Sequence, residues 1–199
     1  MTNKSNFTPD EWKVLLESVM APGIAITAAD PSGLWGLLKE SFAGGTELAK
    51  TKTDPAANAL IKAVVDDFGT AEGSAARDAL KASFRDSKPA QIKDKCIEVL
   101  RQAGAIVDTK APGDSAAYKR WLQQISQHVA EAANEGGGFL GGGVPVSEAE
   151  KATLTEISSA LKAAGAAISI TLWLDLAASK PATKKQRAKT KTAKRKKRR

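Results

Sequence analysis

A single cysteine, Cys96, rules out an intramolecular disulfide and any cysteine-rich zinc site, and it suits a reducing compartment. A single histidine, His128, is equally limiting. A di-iron helical bundle needs two Glu-x-x-His pairs, which one imidazole cannot supply. Aromatic residues are few and none follows Trp173, so the C-terminal end offers no platform on which bases could stack. Long hydrophobic runs are missing as well. The most apolar stretch, Ala163 to Leu174 (AAGAAISITLWL), lies between Lys162 and Asp175. It is far shorter than the roughly 20 residues of a membrane span and reads as a buried helix. The opening MTNKSNFTPDEW has no apolar signal-peptide core, so secretion is not expected. No stretch alternates in the β manner around an Asn-Gly or Asp-Gly turn, which argues against hairpins.

Acidic residues are missing from one place in particular. Residues 180–199 hold twelve of the thirty Lys and Arg and none of the twenty-two Asp and Glu. The other 179 residues carry eighteen cations against twenty-two anions, a net of −4, although the whole chain is at +8. The body is therefore mildly acidic, and all of the surplus positive charge belongs to the tail. From Ser179 onward the only apolar residue type is Ala, and a segment of high net charge with nothing to bury stays disordered in isolation. This places a boundary between a domain over residues 1–178 and a polybasic tail over residues 179–199.

What the body does have is helix punctuation. Phe7-Thr8-Pro9-Asp10-Glu11-Trp12 combines a Thr N-cap, Pro in the first turn and Glu three residues after the cap, with Phe7 and Trp12 placed to clasp as a hydrophobic staple. Ser147 to Glu150 is a second capping box, and Asp30-Pro31 and Asp54-Pro55 read as further starts. Helical apolar stripes follow. One is Leu60, Ile61, Val64, Val65 and Phe68, and another is Ile92, Cys96, Val99, Leu100 and Ala103. Tyr118, Trp121, Leu122, Ile125 and Val129 form a third, and Leu154, Ile157, Leu161 and Ala164 a fourth. Pro22-Gly23, Gly44-Gly45, Gly69 to Gly73, Pro112-Gly113 and Gly136 to Pro145 read as loops. The expected fold is all-α, a compact bundle of seven to eight helices.

Candidate chemistry is sparse. GGGFLGGG contains G-x-G-x-x-G at Gly136, Gly138 and Gly141. A helix precedes it and Val144-Pro145-Val146 intervenes before the next cap, whereas the dinucleotide fingerprint needs a strand before it and a helix directly after. It reads as a hinge. His128 sits at the margin of an apolar face, with no nucleophile elbow anywhere to make a triad. Cys96 shares its stripe with Ile92 and Val99 and reads as a small buried hydrophobe. Asp66 and Asp67 are consecutive on a helix, about 100° apart, and do not converge for acid–base work. The tryptophans Trp12, Trp35, Trp121 and Trp173 all fall in apolar helical patterns, as core residues do.

Two segments, Ala28-Ala29-Asp30-Pro31-Ser32-Gly33 and Gly143-Val144-Pro145-Val146-Ser147-Glu148-Ala149-Glu150, resemble the helix-entry motifs of the TerB-like tellurite-resistance helical proteins. That resemblance implies a compact helical domain with acidic residues that bind metal. Asp30 and Glu150 are the residues it would implicate here. The first copy departs from the Ala-Asp-Gly step by reading Asp-Pro-Ser-Gly, and the second has no Asp in its Gly-rich turn. The tail resembles those of linker-histone-like and nucleoid proteins.

Polycations meet polyanions by counterion release, which makes binding steeply salt-dependent and nearly blind to sequence. The expected function is a non-enzymatic interaction or architectural module, tethered non-specifically to DNA or RNA. The contacts would come from Lys184, Lys185, Arg187, Lys189, Lys191, Lys194, Arg195, Lys196, Lys197, Arg198 and Arg199. No cofactor is expected. The helical body would bind a protein partner or self-associate, in the cytoplasm at the nucleoid, and a membrane is not the expected partner. The alternative is a TerB-like stress- or metal-responsive protein whose tail serves only localisation, on nucleic acid or an anionic membrane surface.

Overall fold

Thr8 opens the first long helix by a reciprocal pair of hydrogen bonds: its N–H donates to Glu11 Oε2 at 2.8 Å, and its Oγ1 accepts from Glu11 N at 3.2 Å. Two of the helix's orphan donors are satisfied in this way. In this computed structural model, which describes residues 2–29, 46–135 and 146–162, a 3-10 turn over Lys4–Asn6 precedes that cap. Eight α-helices then follow among the described residues: α1 (Pro9–Ser18), α2 (Ala21–Ala29), α3 (Thr46–Thr53), α4 (Ala59–Phe68), α5 (Ala71–Ser83), α6 (Pro89–Lys110), α7 (Pro112–Glu135) and α8 (148–162). No strand occurs among those residues. The all-α expectation holds.

The staple forms as the spacing predicts. The rings of Phe7 and Trp12 lie 5.5 Å apart, tilted at 44°, and both are buried. Ser147 caps α8 in the same reciprocal manner with Glu150, at 2.8 and 3.2 Å. The four stripes supply much of the core. All five positions of the Leu60 to Phe68 stripe are buried, while Val99, Val129 and Leu154 sit half-buried at the core's edge. Ala164 lies outside the described residues.

The most enclosed element is α2, APGIAITAA, of which only Ile24 and Ala29 escape full burial. Its small residues let neighbouring backbones come close, and it packs most extensively on α6 and then on α7. Helix α1 also lies on α6 and on α5. No single described helix is long and apolar enough to cross a membrane.

Two expected breaks sit just past the actual ones: the chain leaves the helix at Val19-Met20 and at Ala111, while Pro22-Gly23 lies in the first turn of α2 and Pro112-Gly113 opens α7. The expected break over Gly69 to Gly73 is present at Gly69 and Thr70, with Gly73 already in α5. Proline is tolerated in the first turn because its missing N–H would have had no helical partner there. Conversely, Asp54-Pro55 does not start a helix. Asp54 Oδ1 accepts from Ala56 N at 2.8 Å, making a local turn. The cap of α4 is Asn58, whose Oδ1 accepts from Leu60 N at 3.0 Å and Ile61 N at 3.2 Å.

Candidate functional site

Of the residues expected to carry function, the tail cations from Lys184 to Arg199, Asp30 and the glycine motif at Gly136, Gly138 and Gly141 lie outside the described residues. So do Asp30-Pro31, Trp35, Trp173 and the run from Ala163 to Leu174. Glu150 is described. It is 4% exposed, and its carboxylate is occupied in the α8 capping box, accepting the Ser147 N–H. Among the described residues no group of three or more His, Cys, Asp or Glu side chains is arranged to hold a metal ion.

Cys96 is fully buried on α6, and burial alone pushes its thiol up to about 12. A thiol so reluctant to ionise is a poor nucleophile at neutral pH. His128 is exposed on α7. Trp12 and Trp121 are core residues, and the Trp121 ring packs 5.6 Å from Tyr118. The indole Nε1 of Trp121 is the one buried side-chain polar atom among the described residues with no hydrogen-bond partner.

The polar groups that the fold brings together are mostly engaged in joining helices. Asp67, at the end of α4, accepts from Lys4 Nζ at 2.7 Å and from Trp12 Nε1 at 2.9 Å. Glu72 on α5 holds the same ammonium. Lys4 beside Asp67 holds that carboxyl below its ordinary value, and the Trp12 N–H acts in the same direction against partial burial. At the α6–α7 corner, Asp108 accepts from the Ser115 hydroxyl and pairs with Lys119, whose side chain is only 17% exposed. Ser115 therefore donates into a carboxylate that is already paired with an ammonium, a helix-to-helix lock rather than an activated nucleophile. The Asn58 amide donates to Asp114 Oδ1 at 2.7 Å beside this corner. Lys93 of α6 pairs with Glu156 of α8.

A groove of about 290 Å³ runs between α7 and α8, lined by Gln123, Ser126, Gln127, Leu154, Ile157, Ser158 and Lys162. Its polar groups are largely committed. Gln123 Nε2 donates to Ser158 Oγ at 3.1 Å across the two helices, Ser126 Oγ to Leu122 O at 2.8 Å, and Gln127 Nε2 to Glu131 Oε1 at 2.8 Å. Such an arrangement cross-ties two helices.

Sequence reasoning passed over Lys4 and Asp67 as partners, and likewise Asp108, Ser115 and Lys119. It also missed a cluster of unpaired cations at the α5–α6 turn, made of Lys81, Arg85 and Lys88. All three are exposed. The bare signal was present in the local count of Lys and Arg over residues 81–95, which total charge conceals. The chain matches no protein-family model, none of the curated proteins and none of the solved structures with which it was compared.

Proposed function

We propose that this protein is a helical interaction module held on nucleic acid by residues 180–199. The observation that carries the reading is the segregation of charge: +12 over those residues against −4 over the rest of the chain. The tail supplies affinity through counterion release and is indifferent to sequence. The body, net acidic at −4, adds no overall attraction to phosphates, which leaves most of it available to a protein partner or a second copy. The commitment of Asp67, Asp108, Ser115 and Glu150 to caps and helix locks supports a structural rather than a catalytic use of those side chains.

Tail deletion tests this in cells. A chain ending at Ser179 should lose the nucleic acid that the full chain brings down in a pulldown, and should spread away from the nucleic-acid-rich part of the cell. Unchanged localisation together with unchanged recovery of nucleic acid would refute the reading.

A further inference from the structure

We propose that the corner between α5 and α6 is a second contact for nucleic-acid phosphates, separate from the tail; the inference rests on the nucleic-acid reading above. Lys81 lies in the last turn of α5, Arg85 and Lys88 in the connection to α6, and all three are exposed. Lys95, one to two turns into α6, folds back over the same place. Its Nζ donates to Ser87 Oγ at 2.9 Å and to the carbonyl oxygen of Ser83. From Lys81 to Lys95 there are five Lys and Arg against two Asp, a net of +3 within a body that is negative as a whole.

These cations lack carboxylate partners and stand together within eight residues of the chain, whereas Lys52, Lys62 and Arg120, which lack one too among the described residues, are scattered over α3, α4 and α7. Among the described residues no acidic group pairs with Lys81, Arg85 or Lys88, whereas Lys13, Lys93, Lys110, Lys119 and Lys151 each have one. A cation already paired must give up that pair to meet a phosphate, and a free one gives up only its hydration and counterions. Lys88 also stands at the N-cap of the 22-residue α6, where its own side chain makes no capping hydrogen bond, so the positive end of the helix adds to the same field.

The partner is nucleic acid rather than lipid because the corner has nothing to insert into a bilayer. Its large apolar residue, Phe84, is half-buried against the core. Membrane-surface sites typically flank their cations with apolar side chains that enter the headgroup region.

The test uses the full-length chain and a mixed-sequence DNA duplex, with binding followed by fluorescence anisotropy over a range of salt concentrations. Two triple variants remove the same charge from different places: K81Q/R85Q/K88Q at the corner and K13Q/K110Q/K151Q, all paired with carboxylates, elsewhere on the body. The corner variant should bind about tenfold more weakly at low salt, with a log–log salt slope shallower by about 2–3, close to one for each phosphate no longer neutralised. The control should change by less than about twofold. Equal weakening in the two variants overturns the corner while leaving the tail reading intact. Failure of the wild-type chain to bind DNA overturns both. The same comparison on phosphatidylserine vesicles covers the lipid alternative: corner-dependent flotation with DNA binding at the control level overturns the proposal in favour of a membrane. All three corner side chains are exposed, so the variants should melt with the wild type.

Discussion

One oxygen of Asp67 ties together three parts of the chain: Oδ2 lies 2.9 Å from the indole nitrogen of Trp12 and 2.7 Å from the ammonium of Lys4. The buried Trp12 ring is thus anchored at its polar edge by a carboxylate at the far end of α4. Asp67→Ala leaves that indole N–H without its acceptor and should cost about 1–3 kcal/mol. Asp67→Asn, which can still accept from Trp12, should cost less. The pH dependence separates the two contributions. The Lys4 ammonium, followed by the Trp12 N–H, depresses the folded-state pKa of Asp67. The resulting stability is present above the unfolded value of about 3.9 and is lost as pH falls through the folded value. Urea denaturation from pH 2 to 7 should show wild type and Asp67→Asn drawing together below about pH 4, with their difference constant above about pH 5.

Tyr118 ties α7 to α1 from inside. Its hydroxyl is fully buried, donates to Leu15 O at 3.1 Å and lies 3.0 Å from Ser18 Oγ, which in turn donates to Leu15 O at 2.8 Å. Burial raises the phenol's pKa above its ordinary value, so it stays a neutral donor throughout the physiological range. Tyr118→Phe should lower stability by about 1–2 kcal/mol. A double-mutant cycle with Ser18→Ala should show coupling, because the two hydroxyls share one carbonyl. Strict additivity in chemical denaturation would contradict the shared bond.

Gly73 and Gly113 both lie in the first turn of a helix and should respond oppositely to alanine. A Cβ at Gly73 would sit 2.3 Å from Phe68 O and 2.6 Å from Asp67 O, both backbone atoms that cannot swing aside. The same carbonyl of Phe68 accepts from Arg77, whose guanidinium lies 4.6 Å from the Phe68 ring. Gly73→Ala should therefore cost about 1–3 kcal/mol by forcing α4 and α5 apart. A Cβ at Gly113 would meet nothing within 4 Å, and Gly113→Ala should stabilise by about 0.4–1 kcal/mol through reduced unfolded-state entropy. Thermal melts of the two variants give the comparison directly.

Caps and stripes were legible in the sequence because they are local: Thr8 reaches Glu11 and Ser147 reaches Glu150 within one turn, and Leu60 to Phe68 repeats at helical period. Proline was ambiguous. The same residue that ends a helix also opens one, so Pro22 and Pro112 looked like breaks and Asp54-Pro55 looked like a start. The Lys4–Asp67–Trp12 node could not be read in advance, because its members stand 63 and 55 residues apart and meet only when α1 and α4 pack. The acidic character of the body was visible by counting. The unpaired state of Lys81, Arg85 and Lys88 was not, since pairing depends on which carboxylates the fold brings near.

The central claim is that affinity for a polyanion resides chiefly in residues 180–199. The most direct measurement is the slope of log binding constant against log salt for the full chain and for a chain ending at Ser179, on the same DNA duplex. If six to ten of the twelve tail cations meet phosphates, the full chain should lose about 10³–10⁵ in affinity between 50 and 200 mM salt. The shortened chain should bind weakly with a slope of about −3 or shallower. A shortened chain that keeps the affinity and slope of the full one would contradict the account.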